Sequence, residues 1–448
     1  MSTLCIIGAG SAEFTARIAG DLLRLPEFRD IHFALHDIDG DRLRTAEHVV
    51  GTLAEKLRAT PKISANIDRR QALQGADFVI TTIQIGGYRP ATVADFAIPQ
   101  KYGLRQTIGD TLGIGGIMRG LRTIPVLNAI ARDIADVCPK ALWMQYVNPM
   151  AMTMIAIHRE FPGLRAVGLC HSVQGTAEML AQDAGVDLAD VEFHCAGINH
   201  VAFYTTFEKR LSDGRREDLY PRLRARGVEI LADRATAARP PEIHGRVLSE
   251  KVRYEVLRLL GYFVTESSEH FAEYVPWFIK KSRPDLLEKF DIPLDEYPAR
   301  CEAAERLWRE FEKNPPSPSD SLSKEYAAPI MQAALGGPAA RFNGNVPNEG
   351  WITSLPEEAC VEVPCHMNTD GICPQKCAPL PPQLAALMRT NINVQLLTAE
   401  AALTGKREHI YHAALLDPHT AAELAPDEIY KMTDELIAAH GGLLPQFN

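Results

Sequence analysis

The first 200 residues alternate short apolar runs with helical patterns, and this alternation constrains the fold more than any other feature. Continuous apolar runs are typical of strands covered on both faces, and helices between them are the crossovers that join parallel strands. The sequence therefore predicts an α/β fold with a doubly wound, Rossmann-type sheet. The predicted strands are Leu4–Ile7, His32–Leu35, Phe78–Ile83, Leu142–Val147 and Ala166–Leu169, and the predicted helices are Ala12–Leu25, Gly40–Arg58, Ile117–Val137 and Ser172–Ala184.

The pattern changes near residue 195. Residues 203–220 alternate around Ser212-Asp213-Gly214, which predicts a hairpin, and the Pro- and Ser-rich segment 313–323 predicts a surface loop. Helices are predicted again over 383–404 and 426–439. Since 448 residues exceed one comfortable core, we predict two closely joined parts. Residues 1–195 would bind NAD, and residues 196–448 would form a mixed α+β part for substrate and oligomer contacts.

Composition excludes some classes of binding partner and indicates the cellular compartment. The net charge is −10 and no basic run stands out, which argues against nucleic acid and anionic membranes. No stretch approaches the roughly 18 apolar residues of a membrane span, and a strand starting at residue 4 leaves no room for a secretion signal. The nine cysteines are odd in number and scattered, so a disulfide framework is not expected. We predict a cytoplasmic protein.

Four cysteines do cluster late in the chain, with His366 among them: Cys360, Cys365, Cys373 and Cys377. The spacing C-x4-C-x7-C-x3-C lacks paired C-x2-C knuckles, although it could close a small structural zinc loop. Free thiols in a reducing compartment are the alternative, and the one we favour.

A dinucleotide-binding turn is predicted between the first strand and the first helix. In G8-A-G-S-A-E13 the first two glycines fit a turn where backbone amides and a helix N-terminus meet a pyrophosphate, while Glu13 replaces the third glycine. Asp37, at the end of the second strand, is placed to accept hydrogen bonds from the adenine ribose, which favours NAD over its 2′-phosphorylated form. The predicted cofactor residues are Gly8, Gly10, Ser11, Ala12, Glu13 and Asp37.

Cys170 and His200 are the most informative pair for chemistry, in V167-G-L-C-H-S-V and C195-A-G-I-N-H. Thiolate and imidazole hold transition metals, and neither is needed to bind NAD. A cysteine or a histidine alone is more often a buried core residue than a metal ligand. The prediction therefore depends on the two residues occurring together, downstream of a dinucleotide-binding turn. A nicotinamide site beside such a pair indicates an oxidation assisted by a Lewis acid.

Three more side chains are predicted at the same edge of the sheet. Asp110 lies in a glycine-rich run before a helix, where it contacts ligand or belongs to a tight connection. Asn148 closes a strand, where its amide reads a substrate hydroxyl or caps a helix that begins with Pro149. His171 is predicted at a helix N-terminus that Ser172 caps, and the helix dipole there would lower its basicity.

Six segments are similar to one known family: G8-A-G-S-A-E-F, I108-G-D-T-L-G-I-G-G-I-M-R-G-L-R-T-I-P, Y146-V-N-P-M-A-M, G168-L-C-H-S-V-Q-G-T, G197-I-N-H and E269-H-F-A-E-Y-V-P-W. Over nearly its whole length the chain resembles glycoside hydrolase family 4, the NAD- and Mn²⁺-dependent glycosidases. Within the family it looks most like the melibiase branch of α-galactosidases, because C-H-S-V replaces the C-D or C-N pattern of the phospho-glycosidases.

The resemblance implies roles for particular residues. It makes Cys170 and His200 the Mn²⁺ ligands, Asn148 a substrate contact and His171 the proton donor. The base falls in G261-Y-F-V-T-E-S-S-E-H270, where Tyr262, Glu266 and His270 are all chemically able, and the choice stays open. Thr92 stands where the phospho-glycosidases have an arginine for the 6-phosphate. Since a hydroxyl cannot replace a bidentate guanidinium, a neutral sugar is expected.

The implied mechanism needs no net oxidation. Hydride passes from C3 to NAD⁺, the ketone acidifies the C2 proton, and the metal stabilises the enediolate as a Lewis acid. A base removes that proton, His171 protonates the leaving oxygen, water adds and NADH returns the hydride. The substrate would be a small α-glycoside, and a homodimer or homotetramer is expected.

Other functions stay open at this stage. An α-glucosidase or α-uronidase of the same family is the first alternative. A 2-hydroxy-acid dehydrogenase would share the fold of the lactate and malate dehydrogenases, but it needs an arginine clamp and a histidine paired with aspartate, and has no use for a thiolate ligand. A catalytically inactive NADH sensor is a third. Fold analogy alone does not separate these functions.

Overall fold

Two sheets, with helices around them, are found in residues 1–238 and 248–448, which the computed structural model describes. The strands, numbered in chain order, are β1 (Thr3–Ile7), β2 (His32–His36), β3 (Lys62–Asn66), β4 (Phe78–Thr81), β5 (Leu142–Gln145), β6 (Ala166–Leu169), β7 (Val191–Ala196), β8 (Phe203–Arg210), β9 (Arg216–Asp218), β10 (Phe263–Val264), β11 (Ala340–Pro347), β12 (Cys360–Asn368) and β13 (Gly371–Pro374). The helices are α1 (Ala12–Arg24), α2 (Gly40–Leu57), α3 (Arg69–Leu73), α4 (Val93–Lys101), α5 (Gly113–Val137), α6 (Met150–Glu160), α7 (Ser172–Asp183), α8 (Tyr220–Leu231), α9 (Lys251–Leu260), α10 (Ser268–Glu273), α11 (Asp285–Lys289), α12 (Glu296–Lys313), α13 (Ala327–Ala334), α14 (Pro382–Thr404), α15 (Glu408–Leu416), α16 (Pro418–Glu423) and α17 (Pro426–His440).

The larger sheet has the order β13-β12-β11-β6-β5-β4-β1-β2-β3. The six strands β1 to β6 pair in parallel, and their order 3-2-1-4-5-6 is that of dinucleotide-binding folds. This confirms the predicted α/β fold. Strands β11 to β13 continue the sheet in antiparallel pairing, with Gly344 opposite Leu169. Strands from beyond residue 195 therefore complete the first sheet, and the division of the chain at that residue stays a prediction.

Most predicted elements are present, and the differences have local causes. The sequence missed β3, an edge strand whose residues are only partly buried and form no continuous apolar run. Strands β4 and β5 each end two residues earlier than predicted, where the chain leaves the sheet. Helix α5 begins at Gly113 rather than Ile117. The glycines of its first turn lack side chains and pack closely on the preceding loop: a Cβ on Gly115 would lie 2.4 Å from the Gly109 carbonyl oxygen.

The second sheet has the order β10-β8-β7, with β9 paired to β8, and the turn between β8 and β9 confirms the predicted hairpin. The chain after α12 has neither helix nor strand until α13, as expected for the predicted loop. The last helix is tied to α4 and α5 through buried Asp95 of α4, which contacts Arg122 at 2.6 Å and His440 at 2.8 Å. Within the described residues, none of the helices combines the length and the apolarity that crossing a membrane requires.

Among the described residues, the sulfur atoms of the late cysteines are not grouped within metal-binding distance of one another. Cys365 and Cys373 lie on β12 and β13, and all nine cysteines are free. The thiol of Cys365 donates to the Val363 carbonyl at 3.4 Å, and that of Cys377 to the Gln375 carbonyl at 3.5 Å. The one group of metal-binding side chains among residues 1–238 and 248–448 lies at Cys170. The free-thiol interpretation accounts for these contacts.

Candidate active site

The turn after β1 requires glycine at two positions. Gly8 has φ +88°, and a Cβ there would lie 2.2 Å from the Thr82 carbonyl oxygen. A Cβ on Gly10 would lie 2.6 Å from Asp37 Oδ2, which accepts the Gly10 N–H at 2.8 Å. The bare backbone and the N-terminus of α1 thus meet beside Asp37. This arrangement fits a dinucleotide diphosphate at the turn and a ribose at the aspartate.

Ser11, Ala12 and Glu13, which follow the turn, form the N-terminal end of α1. Ser11 is the exposed N-cap of α1 and makes no side-chain cap bond, and Ala12 is the first helical residue. Glu13, in place of the third glycine, pairs with Arg17 at 2.9 Å, and Arg17 also lies 3.1 Å from Glu325. The ion pairs therefore link α1 to the segment before α13.

Three side chains able to bind a metal meet after β6, at the same edge of the parallel sheet as this turn. Cys170 follows β6, His200 lies in the turn before β8, and Glu266 lies between β10 and α10. The Cys170 Sγ lies 3.4 Å from His200 Nε2, which lies 3.4 Å from Glu266 Oε2. The three donor atoms are all within 4.8 Å of one another. Thiolate, imidazole and carboxylate fit a divalent transition metal, so Glu266, one of the three candidate bases, lies among the side chains that could bind it.

Two of these residues have left-handed backbone conformations. His200 has φ +65° and Glu266 has φ +63°. For residues other than glycine such conformations cost of order 1–3 kcal/mol each and persist where surrounding contacts hold them. His200 Nδ1 lies 3.2 Å from the Tyr274 hydroxyl, and Glu266 Oε1 lies 3.4 Å from His270 Nδ1. His270 of α10 and Tyr274 at its C-terminal end therefore contact the side chains of both residues with left-handed backbones.

The charges of the site are strongly coupled. Burial acts to raise the pKa of Glu266, but the imidazoles of His270, His200 and His171 outweigh it and bring the pKa to about 2. Burial, and then the carboxylate of Glu266, raise the pKa of the Cys170 thiol well above its ordinary range. A carboxylate beside an imidazole and a buried thiol suits a site that gains a cation.

Sequence reasoning missed Glu362 on β12. Its side chain is fully buried, its backbone pairs with that of Gly197 in the turn leading to His200, and its charge acts on Cys170. Burial, and then Glu266, raise the pKa of Glu362 to about 8, while the side chains of Asn199 and Asn345 act in the opposite direction. An acidic residue inside the buried run C360-V-E-V was the available signal.

Asn148 and Asp110 lie at the same edge of the sheet. Asn148 follows β5, and its enclosed Oδ1 has no hydrogen-bond partner among the described residues. An orphaned acceptor of this kind suits a ligand hydroxyl. Pro149, rather than Asn148, is the N-cap of α6. Burial opposes ionisation of Asp110, but the charges of Arg119, and then of His270 and His200, hold its pKa below the ordinary value.

His171 is itself the N-cap of α7, so the prediction that Ser172 caps this helix is wrong: Ser172 already has helical geometry as the first residue. The His171 side chain is 64% exposed, and its Nδ1 lies 3.7 Å from Glu325 Oε1. An exposed ring beside a buried carboxylate is accessible to a substrate.

Tyr262 and Thr92 have other neighbours. The Tyr262 ring lies edge-on to Tyr220, with 6.0 Å between centroids, in an apolar cluster. The Thr92 hydroxyl accepts from Gln84 at 3.0 Å and donates to the Gly87 carbonyl at 3.2 Å. Thr92 is thereby engaged within its own segment.

Comparison with known proteins agrees with this geometry. The model of the family 4 glycosyl hydrolases matches residues 3–186, and that of their C-terminal domain matches residues 195–420. The chain belongs to glycosyl hydrolase family 4. An α-galactosidase of Bacillus subtilis is 44% identical over 450 residues, with both chains covered completely. An α-galactosidase of Rhizobium meliloti is 35% identical over 462 residues, which cover 99% of this chain and 89% of that protein.

Solved structures resemble the family 4 chain along its length. A Bacillus subtilis glucosidase has a TM-score of 0.86 at 24% identity, covering 97% of this chain and 99% of its own. A 6-phospho-α-glucosidase from gut microorganisms, solved with NAD and Mn²⁺, has a TM-score of 0.80 at 20% identity, with both chains covered completely. A Plasmodium falciparum malate dehydrogenase has a TM-score of 0.50 at 14% identity over 90% of this chain and 99% of its own. The fold is thus shared with dehydrogenases, as predicted.

Glu266→Gln is expected to weaken Mn²⁺ binding by about 10- to 100-fold, the usual effect of losing a group that supports a metal site. The substitution keeps the size of the side chain and removes only the carboxylate charge that faces His200. Titration of Mn²⁺ by electron paramagnetic resonance measures the affinity. Glu435→Gln, which changes a partly exposed glutamate of α17 that pairs with Lys101, is the matched control. An unchanged affinity for Mn²⁺ would return Glu266 to the role of a base.

Proposed function

We propose that this family 4 enzyme is an α-galactosidase that requires NAD⁺ and Mn²⁺ and acts on unphosphorylated α-galactosides. The observation that carries the proposal is the group formed by Cys170, His200 and Glu266, which lies at the edge of the sheet that also bears the Gly8 turn. A hydrolase that works by direct displacement has no use for a dinucleotide turn beside a thiolate ligand. The two α-galactosidases at 44% and 35% identity support the choice of sugar.

The cofactors divide the chemistry between them. When bound, NAD⁺ would supply a hydride acceptor for the sugar, and the metal would supply a Lewis acid. Cys170, His200 and Glu266 would hold the cation, and Asp37 with the Gly8 turn would hold the dinucleotide. Asn148 offers its free Oδ1 to a sugar hydroxyl, which orients the ring. Asp110 is a second substrate contact near His200 and His270.

Two histidines move protons in this proposal. His270 removes the C2 proton, because Glu266 is engaged with the metal and Tyr262 packs against Tyr220. The Ser267 hydroxyl lies 2.7 Å from His270 Nδ1 and fixes the ring, so that Nε2 is the basic atom. The Nε2 atom of His171 donates a proton to the leaving oxygen. Glu325 lies beside Nδ1 and orients the ring.

In this proposal the substrate is a neutral sugar without a phosphate group. The Thr92 hydroxyl is hydrogen-bonded to Gln84 and Gly87. This position therefore offers no cationic side chain to bind a phosphate. The enzyme is proposed to work in the cytoplasm, where nine free cysteines persist as thiols, and to assemble as a homodimer or homotetramer.

Activity is expected to vanish when NAD⁺ and metal are both removed, and to return only when NAD⁺, Mn²⁺ and a reductant are added together. The assay uses a panel of nitrophenyl glycosides with charcoal-treated, chelator-dialysed enzyme. The α-galactoside is expected to have the highest kcat/KM. Full activity without either cofactor would contradict the proposal, while a preference for α-glucosides, α-galacturonides or 6-phospho-glycosides would move the enzyme to another branch of the family.

His171→Ala is expected to harm natural galactosides far more than activated ones. A sugar alkoxide leaves only with a proton, and general acid help is typically worth about 10² to 10⁴ in rate, whereas nitrophenolate leaves without it. Comparison of kcat/KM for melibiose and nitrophenyl α-galactoside measures the difference. His48→Ala, at an exposed histidine of α2, is the control. Equal losses on both substrates would remove His171 from the acid role.

A further inference from the structure

A buried carboxylate holds the glycine-rich loop that precedes α5. Glu273 Oε2 accepts the backbone N–H groups of Thr107 at 2.8 Å and Ile108 at 3.2 Å, and its Oε1 accepts that of Gly109 at 2.7 Å. Glu273 is buried, with only 2% of its surface exposed. Three successive amides thus converge on one carboxylate, the kind of concave amide group that usually binds an anion.

The loop held in this way bends sharply at its next residues. Gly109 has φ +57° and Gly113 has φ +73°, conformations that side chains rarely adopt. The Gly115 N–H donates to Gln106 Oε1 at 3.1 Å, which closes the loop on the start of α5. Asp110 follows the three amides directly, so the direction of its carboxylate is set by the backbone that Glu273 binds.

Glu273 belongs to the helix that also carries part of the metal-side machinery. Helix α10 contains His270, and Tyr274 at its C-terminal end contacts His200 at 3.2 Å. The Thr107 hydroxyl donates to the Glu269 carbonyl at 2.5 Å, a second connection between the loop and α10. One short helix therefore fixes both the imidazoles and the loop that carries Asp110.

We propose that Glu273 is a positioning residue for hydrolysis, which aims Asp110 at the substrate by holding the Thr107–Gly109 backbone. The proposal rests on the proposed function, in which Asp110 contacts the sugar. Glu273 touches no reacting atom in this role. Its effect on turnover must pass through Asp110, and that dependence distinguishes it from a merely structural residue.

The experiment is a double-mutant cycle with Glu273→Gln and Asp110→Asn in the NAD⁺- and Mn²⁺-loaded enzyme. Glu273→Gln keeps the size of the side chain but turns one acceptor into a donor facing the amides. It is expected to lower kcat/KM on nitrophenyl α-galactoside by about 10- to 100-fold, since misplacement by about 1 Å has effects of that size. In the Asp110→Asn background the same change is expected to cost less than about twofold.

Binding of NAD⁺, followed by calorimetry, and of Mn²⁺, followed by electron paramagnetic resonance, is expected to be unchanged in Glu273→Gln. The matched structural control is Asp417→Asn, which alters a buried carboxylate that accepts the Thr420 N–H at 2.8 Å at the start of α16. This control is expected to lower the thermal midpoint and to leave kcat/KM within about twofold in both backgrounds.

The outcomes separate the proposal from the proposed function. Losses that multiply in the double variant, or a Glu273→Gln enzyme with the parent kcat/KM, overturn the positioning role. A wild-type kcat/KM in Asp110→Asn alone overturns the substrate role of Asp110 and the inference with it. If Glu273→Gln does not fold, Glu273→Asp serves in the same cycle, because it keeps the charge and shortens the reach, and its losses must again be non-additive.

Discussion

The contact of Cys170, His200 and Glu266 brings together three segments that are far apart in the chain, and most of the site depends on it. Cys170 ends a strand of the dinucleotide-binding sheet, whereas His200 and Glu266 flank strands of the second sheet. His200 and Glu266 adopt left-handed backbones, which cost free energy and are held by Tyr274 and His270. The cation that we propose for this group accounts for such conformations around a thiol, an imidazole and a carboxylate.

In the proposed function, the residues around this group serve both oxidation and proton transfer. The dinucleotide turn at Gly8 and the metal-binding residues lie at one edge of the parallel sheet, where doubly wound folds bind ligands. His171 approaches from α7 and His270 from α10, and the charges of both act on Glu266. Helix α10 also holds the Asp110 loop through Glu273. The groups that we propose to act on adjacent sugar atoms are thus held by shared elements.

Local patterns predicted the fold and part of the site. Buried strands, the Gly8 turn and the Cys170 and His200 pair each leave a signature within a few residues, because their physical requirements are local. The role of Glu266 as a neighbour of His200, and the presence of Glu362 and Glu273, depend on contacts across more than sixty residues, for which one sequence offers no periodicity. Edge strand β3 was missed because its partly exposed residues form no apolar run.

In the proposed function, the C2–H bond of the sugar breaks during hydrolysis. The most direct test is hydrolysis of an α-galactoside in D₂O, with nuclear magnetic resonance of the released galactose. A base that exchanges its proton with solvent returns deuterium, so product labelled at C2 is expected, together with a primary isotope effect on the C2-deuterated substrate if proton removal limits the rate. Galactose that retains all its hydrogen at C2, with no isotope effect, would contradict an elimination and indicate direct displacement at C1.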